Sequence, residues 1–213
     1  MIGDKSQISH IQVTGIEKLG NGKRRIHFEN AESLILYYSE TRGCEFEEGS
    51  AISYDTYEYL LKEVIGKRAK KRALHILEQM DRTEQQLREK LMASEYPMVC
   101  IEDAIAYVKS FHYLDDERYA ETFTRYKKEK MSRQQIKQKL MMKGISREII
   151  SNAIEEEYDV DETVHIRSLL EKKHFCSDKA DEGEFRRVYN YLLRRGFRSS
   201  DILREMNNYV SVV

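Results

Sequence analysis

The sequence predicts a mainly α protein: tandem three-helix repeats in an elongated, curved array, preceded by a small N-terminal antiparallel β region. Three observations carry this. Apolar residues recur at helical spacing from about residue 66 onward, the helical pattern repeats itself twice, and β-branched runs broken by Gly and Asn are confined to the first 63 residues.

Near the N-terminus, Ile8, Ile11 and Val13 precede a Gly20-Asn21-Gly22 turn, and Arg25-Ile26-His27-Phe28 follows it. A second turn at Asn30–Ser33 leads into Leu34–Tyr38, so three short strands are expected. Three strands alone are marginal, and the segment Tyr54–Ile65, with Tyr57, Leu60, Leu61 and Val64 at helical spacing, supplies a helix to cover them. The tyrosines here (Tyr37, Tyr38, Tyr54, Tyr57 and Tyr59) read as packing residues rather than a base-stacking platform.

The repeats emerge on aligning Leu87-x-x-x-Leu91 with Ile136-x-x-x-Leu140 and Val188-x-x-x-Leu192. Without a gap, Tyr96, Ile145 and Phe197 then share a position, as do Ile101, Ile150 and Ile202; Ala104, Ala153 and Glu205; and Ile105, Ile154 and Met206. The offsets are 49 and 52 residues. Each copy has an amphipathic segment upstream (Ala69–Met80, Glu117–Lys130, Thr163–Lys173), which makes each unit helix–helix–helix. Thr83 with Gln86, and Ser132 with Gln135, have the spacing of capping boxes, and Asp115-Asp116 reads as a helix cap rather than a metal or acid–base pair. The expected divisions are 1–65 (sheet plus helix), 66–114, 115–158 and 159–213 (one repeat each).

Composition bounds the function. A charged share of 34%, against about 25% in ordinary domains, predicts a thin core and a large surface. The single proline, Pro97, argues against a turn-dense β sandwich, and no apolar run approaches the roughly 18 residues of a membrane span. The start has no signal-peptide layout and the three cysteines (Cys44, Cys100, Cys176) are far apart, so a cytoplasmic protein without disulfides, metal or cofactor is expected. No phosphate loop, nucleophile elbow or H-E-x-x-H occurs, and no enzymatic activity is expected.

Net charge is −1, but its distribution is uneven. Residues 125–143 hold eight basic residues against Glu129 alone, whereas 144–184 hold five basic and twelve acidic. Residues 185–205 turn basic again, and Lys67–Arg72 form a further cluster. If stacked repeats align these patches, they form a stripe suited to a phosphate backbone or an acidic protein groove. The candidate partner-binding residues are Lys67, Arg68, Lys70 and Lys71 in the first cluster and Arg125, Lys127, Lys128, Lys130, Arg133, Lys137 and Lys143 in the second. Arg186, Arg187, Arg194 and Arg195 form the third.

The runs Arg82-Thr83-Glu84-x-x-Leu87-x-x-Lys90-Leu91, Tyr113-Leu114-Asp115-Asp116-x-x-Tyr119-Ala120 and Ile136-x-x-Lys139-Leu140-x-x-Lys143-Gly144-Ile145 resemble the bacterial RecX family of regulatory proteins. The match is strong over about 66–158 and looser in the third repeat, where a polar insert, Ser177–Gly183, departs from the pattern; His112 stands where the family usually has Gly. The resemblance implies a modulator that binds the RecA–DNA filament in its groove and restrains RecA's ATPase and strand exchange. A monomer is expected, with single- or double-stranded DNA as a further partner. The alternative is an autonomous DNA-binding helical-repeat protein; a scaffold would bind neither.

Overall fold

The computed structural model describes residues 10–42, 44 and 46–209; the expected strand residue Ile8 lies outside them. Four strands, β1 (His10–Leu19), β2 (Lys23–Phe28), β3 (Ala31–Tyr37) and β4 (Ala51–Ser53), form an antiparallel sheet in the order β3-β2-β1-β4. The β1–β2 connection is a Gly-Asn-Gly turn with Asn21 and Gly22 at positive φ. Alternation puts Ile11 and Val13, Ile26 and Phe28, and Leu34 and Leu36 on one buried face. β4 is a correction to the three strands expected: three residues are too few to display an alternating pattern. It pairs with β1, His10 opposite Ser53 and Ile11 opposite Ile52.

Ser53 then caps α1 (Tyr54–Tyr59), accepting from the Thr56 amide at 3.1 Å. The chain runs through one π-helical stretch (Leu60–Gly66) directly into α2 (Lys67–Gln79), so the helix expected to end near Ile65 does not break there. Cys100 Sγ donates to the Leu61 carbonyl within that stretch at 3.2 Å, and burial pushes its thiol pKa up to about 11. The sheet rests on this segment: the Phe28 and Tyr57 rings meet edge-on at 5.1 Å, and the Tyr57 hydroxyl donates to the Glu32 carbonyl. Of the tyrosines expected to pack here, Tyr57 is buried, whereas Tyr38, Tyr54 and Tyr59 are exposed.

The rest is three sets of three helices. The first holds α2, α3 (Glu84–Met92) and α4 (Met98–Ser110); the second α5 (Asp116–Lys127), α6 (Arg133–Met141) and α7 (Arg147–Glu157); the third α8 (Glu162–Lys172), α9 (Glu182–Arg194) and α10 (Ser199–Asn208). Both capping boxes form: Thr83 Oγ1 accepts from the Gln86 amide at 3.3 Å, and Ser132 Oγ from the Gln135 amide at 3.2 Å. Asp115 accepts from the Arg118 amide, which is the cap expected of it. The aligned apolar positions are buried in the core or, at Tyr96 and Ile154, partly buried against it. Leu91, Leu140 and Leu192 are all fully buried, as are Ile150 and Ile202, with Ile101 nearly so. The second and third sets have cores of their own, whereas the first shares one core with the sheet. The chain divides after Leu114 into two compact units.

The repeat extends to backbone conformation. Glu95, Gly144 and Gly196, which occupy one aligned position, all have positive φ (57°, 82° and 81°) where the second helix of each set ends. His112 also has a positive φ, 55°, which accounts for a preference for Gly there. At Gly196 a Cβ would lie 2.8 Å from Gln134 Cβ and 3.1 Å from Ser132 Oγ. Gly196→Ala therefore combines left-handed strain, roughly 1–2 kcal/mol, with displacement of the start of α6. The thermal midpoint is expected to fall; an unchanged midpoint would contradict this packing.

At the position where the first two sets place Ala104 and Ala153, the third has Glu205, 6% exposed. Its carboxylate is met by Arg167 of α8 at 2.5 Å and by Arg204 at 3.4 Å, which satisfies a charge that burial would otherwise penalise.

Candidate partner-binding surface

The expected basic residues divide by what they touch. In the first cluster, Arg68 is an internal tie: it donates to Glu40 and to the Ile35 carbonyl, both at 2.6 Å, and lies over the Tyr37 and Tyr96 rings. Lys67 pairs with Glu63, and Lys70 sits 5.6 Å from the Tyr107 ring centroid. Lys71 is exposed.

In the second cluster, the counter-charges that the local sequence lacks come from the end of α7 and just beyond it. Arg125 makes a two-pronged contact with Glu157 (2.9 and 2.5 Å), and Lys128 pairs with Asp159 at 2.7 Å. Arg133 stacks on Tyr158 at 4.6 Å and donates to its carbonyl. The Tyr158 ring is buried, which pushes its phenol pKa up, and its hydroxyl donates to the Met131 carbonyl. With Arg68, these three have internal duties, a narrowing of the expected surface. Among the described residues, Lys127, Lys130 and Lys137 reach no carboxylate within ion-pair distance, and Lys143 lies over the Tyr119 and Phe123 rings at 5.5 and 5.9 Å. Tyr126 and Met142, which charge and periodicity do not single out, are 75% and 87% exposed beside these cations. Large, exposed apolar side chains among basic residues are the composition of an interface anchor.

In the third cluster Arg186, Arg187 and Arg194 are exposed, and Arg195 lies 4.9 Å from the Tyr191 ring centroid. The second and third clusters meet. Ser132 Oγ, while capping α6, also donates to the Arg195 carbonyl at 2.6 Å, which joins the start of α6 to the end of α9. The segments carrying Arg133 and Arg194-Arg195 therefore lie side by side.

The Arg125–Glu157 pair gives this surface a pH dependence. The hydrogen bond from Arg125 holds the Glu157 carboxyl below its ordinary 4.5. A folded-state pKa below the unfolded one adds stability above about pH 4.5, which is lost as pH falls through the folded value. Arg125→Gln should flatten the acid limb of the thermal-midpoint profile below about pH 5; an unaltered limb would mean the pair is not formed in solution.

Among the described residues, no group of three His, Cys, Asp or Glu side chains could hold a metal ion, and no helix is long and apolar enough to cross a membrane. Comparison with known proteins places the chain. Residues 69–108 match the first three-helix domain of RecX, and residues 115–154 the second. A regulatory protein RecX of Caldanaerobacter subterraneus is 31% identical over 163 residues, spanning 76% of this chain and 80% of that protein. One of Clostridium perfringens is 27% identical over 84% of this chain and 92% of its own length. In fold, the chain is similar to a crystal structure of regulatory protein RecX (TM-score 0.61, 18% identity, 93% of this chain and 100% of that one). It is also similar to that of RecX from Lactobacillus salivarius (TM-score 0.56, 21% identity, 68% and 98%). With the sheet, the three-helix sets and a relative of this identity and coverage, the chain belongs to the RecX family of regulatory proteins.

Proposed function

We propose that the chain is a cytoplasmic, non-enzymatic regulator that binds the RecA–DNA filament as a monomer and modulates, mainly by inhibition, RecA's ATPase and strand exchange in recombination and repair. The functional units in this reading are the sheet with its helix (1–65) and the repeats 66–114, 115–158 and 159–213. The observation that carries the reading is the junction of two basic segments at Ser132 and Arg195, together with Lys127, Lys130 and Lys137, which among the described residues reach no carboxylate. Unmatched cations with an exposed tyrosine and methionine suit a surface that is partly acidic and partly apolar, as a protein-coated nucleic acid is.

The test is salt dependence. Direct phosphate binding releases counter-ions and weakens steeply as salt rises. Binding to RecA-coated single-stranded DNA is expected to persist at salt concentrations that abolish binding to the bare strand. Equal affinity and equal salt slope on both would instead make the chain an autonomous DNA-binding protein, and binding to neither would overturn both readings.

A further inference from the structure

A cleft of about 270 Å³ opens where α8 and the end of α9 meet the stretch that follows α5, with Tyr191 and Phe197 among its lining residues. Four cations line it: Lys130, Lys172, Lys173 and Arg195, with Glu129 as the one carboxylate. Lys173 and Arg195 share the Tyr191 ring, at 4.7 and 4.9 Å from its centroid, so the fold holds two like charges on a single aromatic side chain. Among the described residues none of the four cations makes an ion pair. His165, also in the lining, has its Nε2 atom shielded from solvent with no hydrogen-bond partner among the described residues.

These features share one physical problem and one solution. Like charges converging on a small volume repel, and a shielded ring nitrogen without a partner is an unmet hydrogen bond. A polyvalent oxyanion relieves both: its several oxygens accept from ammonium and guanidinium donors arriving from different directions, and from an imidazole N–H. A carboxylate, with two oxygens and one charge, would leave most of the donors unmatched.

We propose that this cleft is a phosphate-binding site, for a phosphate of either a nucleic-acid backbone or a free polyphosphate. This rests on the filament reading and deepens it by giving Lys130 of the second basic cluster and Arg195 of the third a shared ligand chemistry. Its test uses the chain without RecA, so either can fail alone.

The full chain is titrated with inorganic pyrophosphate and, separately, with a short oligothymidylate, while calorimetry gives the affinity and nitrogen NMR follows the His165 ring. A saturable shift of His165 is expected with at least one of them. A response to pyrophosphate alone assigns a free polyphosphate; a response to the oligonucleotide assigns the nucleic-acid backbone. Lys173→Gln with Arg195→Gln should weaken binding tenfold or more. Lys172→Gln, an exposed position that does not endanger folding, should weaken it about threefold. Lys90→Gln, outside the cleft, should leave it unchanged. No saturable response of His165 to either probe, equal binding in the Lys172→Gln protein, or displacement of pyrophosphate by an oligoglutamate of the same charge would each overturn the assignment.

Discussion

Leu140→Ala is expected to destabilise the second helix set by about 2–5 kcal/mol, the range for a buried leucine whose site cannot collapse. Leu140 is fully buried in a core made by Ala120, Ile136, Ile145, Ile150, Ala153 and Tyr158. That core is small and does not continue into the other sets, so few neighbours are available to close a cavity. The Ile145 amide bonds back to the Leu140 carbonyl, and Gly144 turns the chain between them, so the backbone around the cavity is held as well. Thermal or denaturant unfolding measures the loss. A midpoint equal to wild type would mean that Leu140 does not face the core.

The second large effect is on binding. Replacing Lys127, Lys130 and Lys137 together by Gln should weaken inhibition of RecA's ATPase about tenfold or more, because a handful of desolvated charged contacts can supply over 1.4 kcal/mol. Gln keeps helix propensity close to that of Lys, and substitutions such as those at exposed Lys130 and Lys137 usually change stability by less than about 0.5 kcal/mol each, while half-buried Lys127 makes no ion pair among the described residues. The helical signal and thermal midpoint should therefore stay near wild type. Lys128 is left out because its side chain is 19% exposed and tied to Asp159, so its loss would confound folding with binding. Inhibition as strong as wild type by the triple variant at physiological salt would reduce the basic surface to a solvated face.

The repeat was legible because its signal is local. A pair of core residues four apart, ending in leucine, survives in all three copies, so Leu91, Leu140 and Leu192 could be aligned by sequence, and each is fully buried on the second helix of its set. The shared left-handed position was harder to see, since Glu95 stands where the other copies have Gly144 and Gly196 and only backbone angles reveal the equivalence. β4 escaped because a strand of three residues is defined by the partner it finds, not by its own pattern.

The basic surface was half legible. Counting charge along 125–143 found the cations, but Arg125 and Lys128 are neutralised by Glu157 and Asp159, about 30 residues away in a stretch the count treated as separate and acidic. The same averaging hid Lys172, Lys173 and His165, which lie inside a segment of strongly negative balance yet line a cationic cleft. Charge acts through distances of a few ångströms, and a window along the chain does not measure those.

The central claim is recognition of the assembled filament rather than of its parts. It is tested most directly by sedimenting RecA assembled on single-stranded DNA with a non-hydrolysable nucleotide analogue, in the presence of the chain at physiological salt. The chain is expected in the pellet with the complete filament and in the supernatant with DNA alone or with unassembled RecA. A chain that stays in the supernatant beside intact filaments would contradict the account.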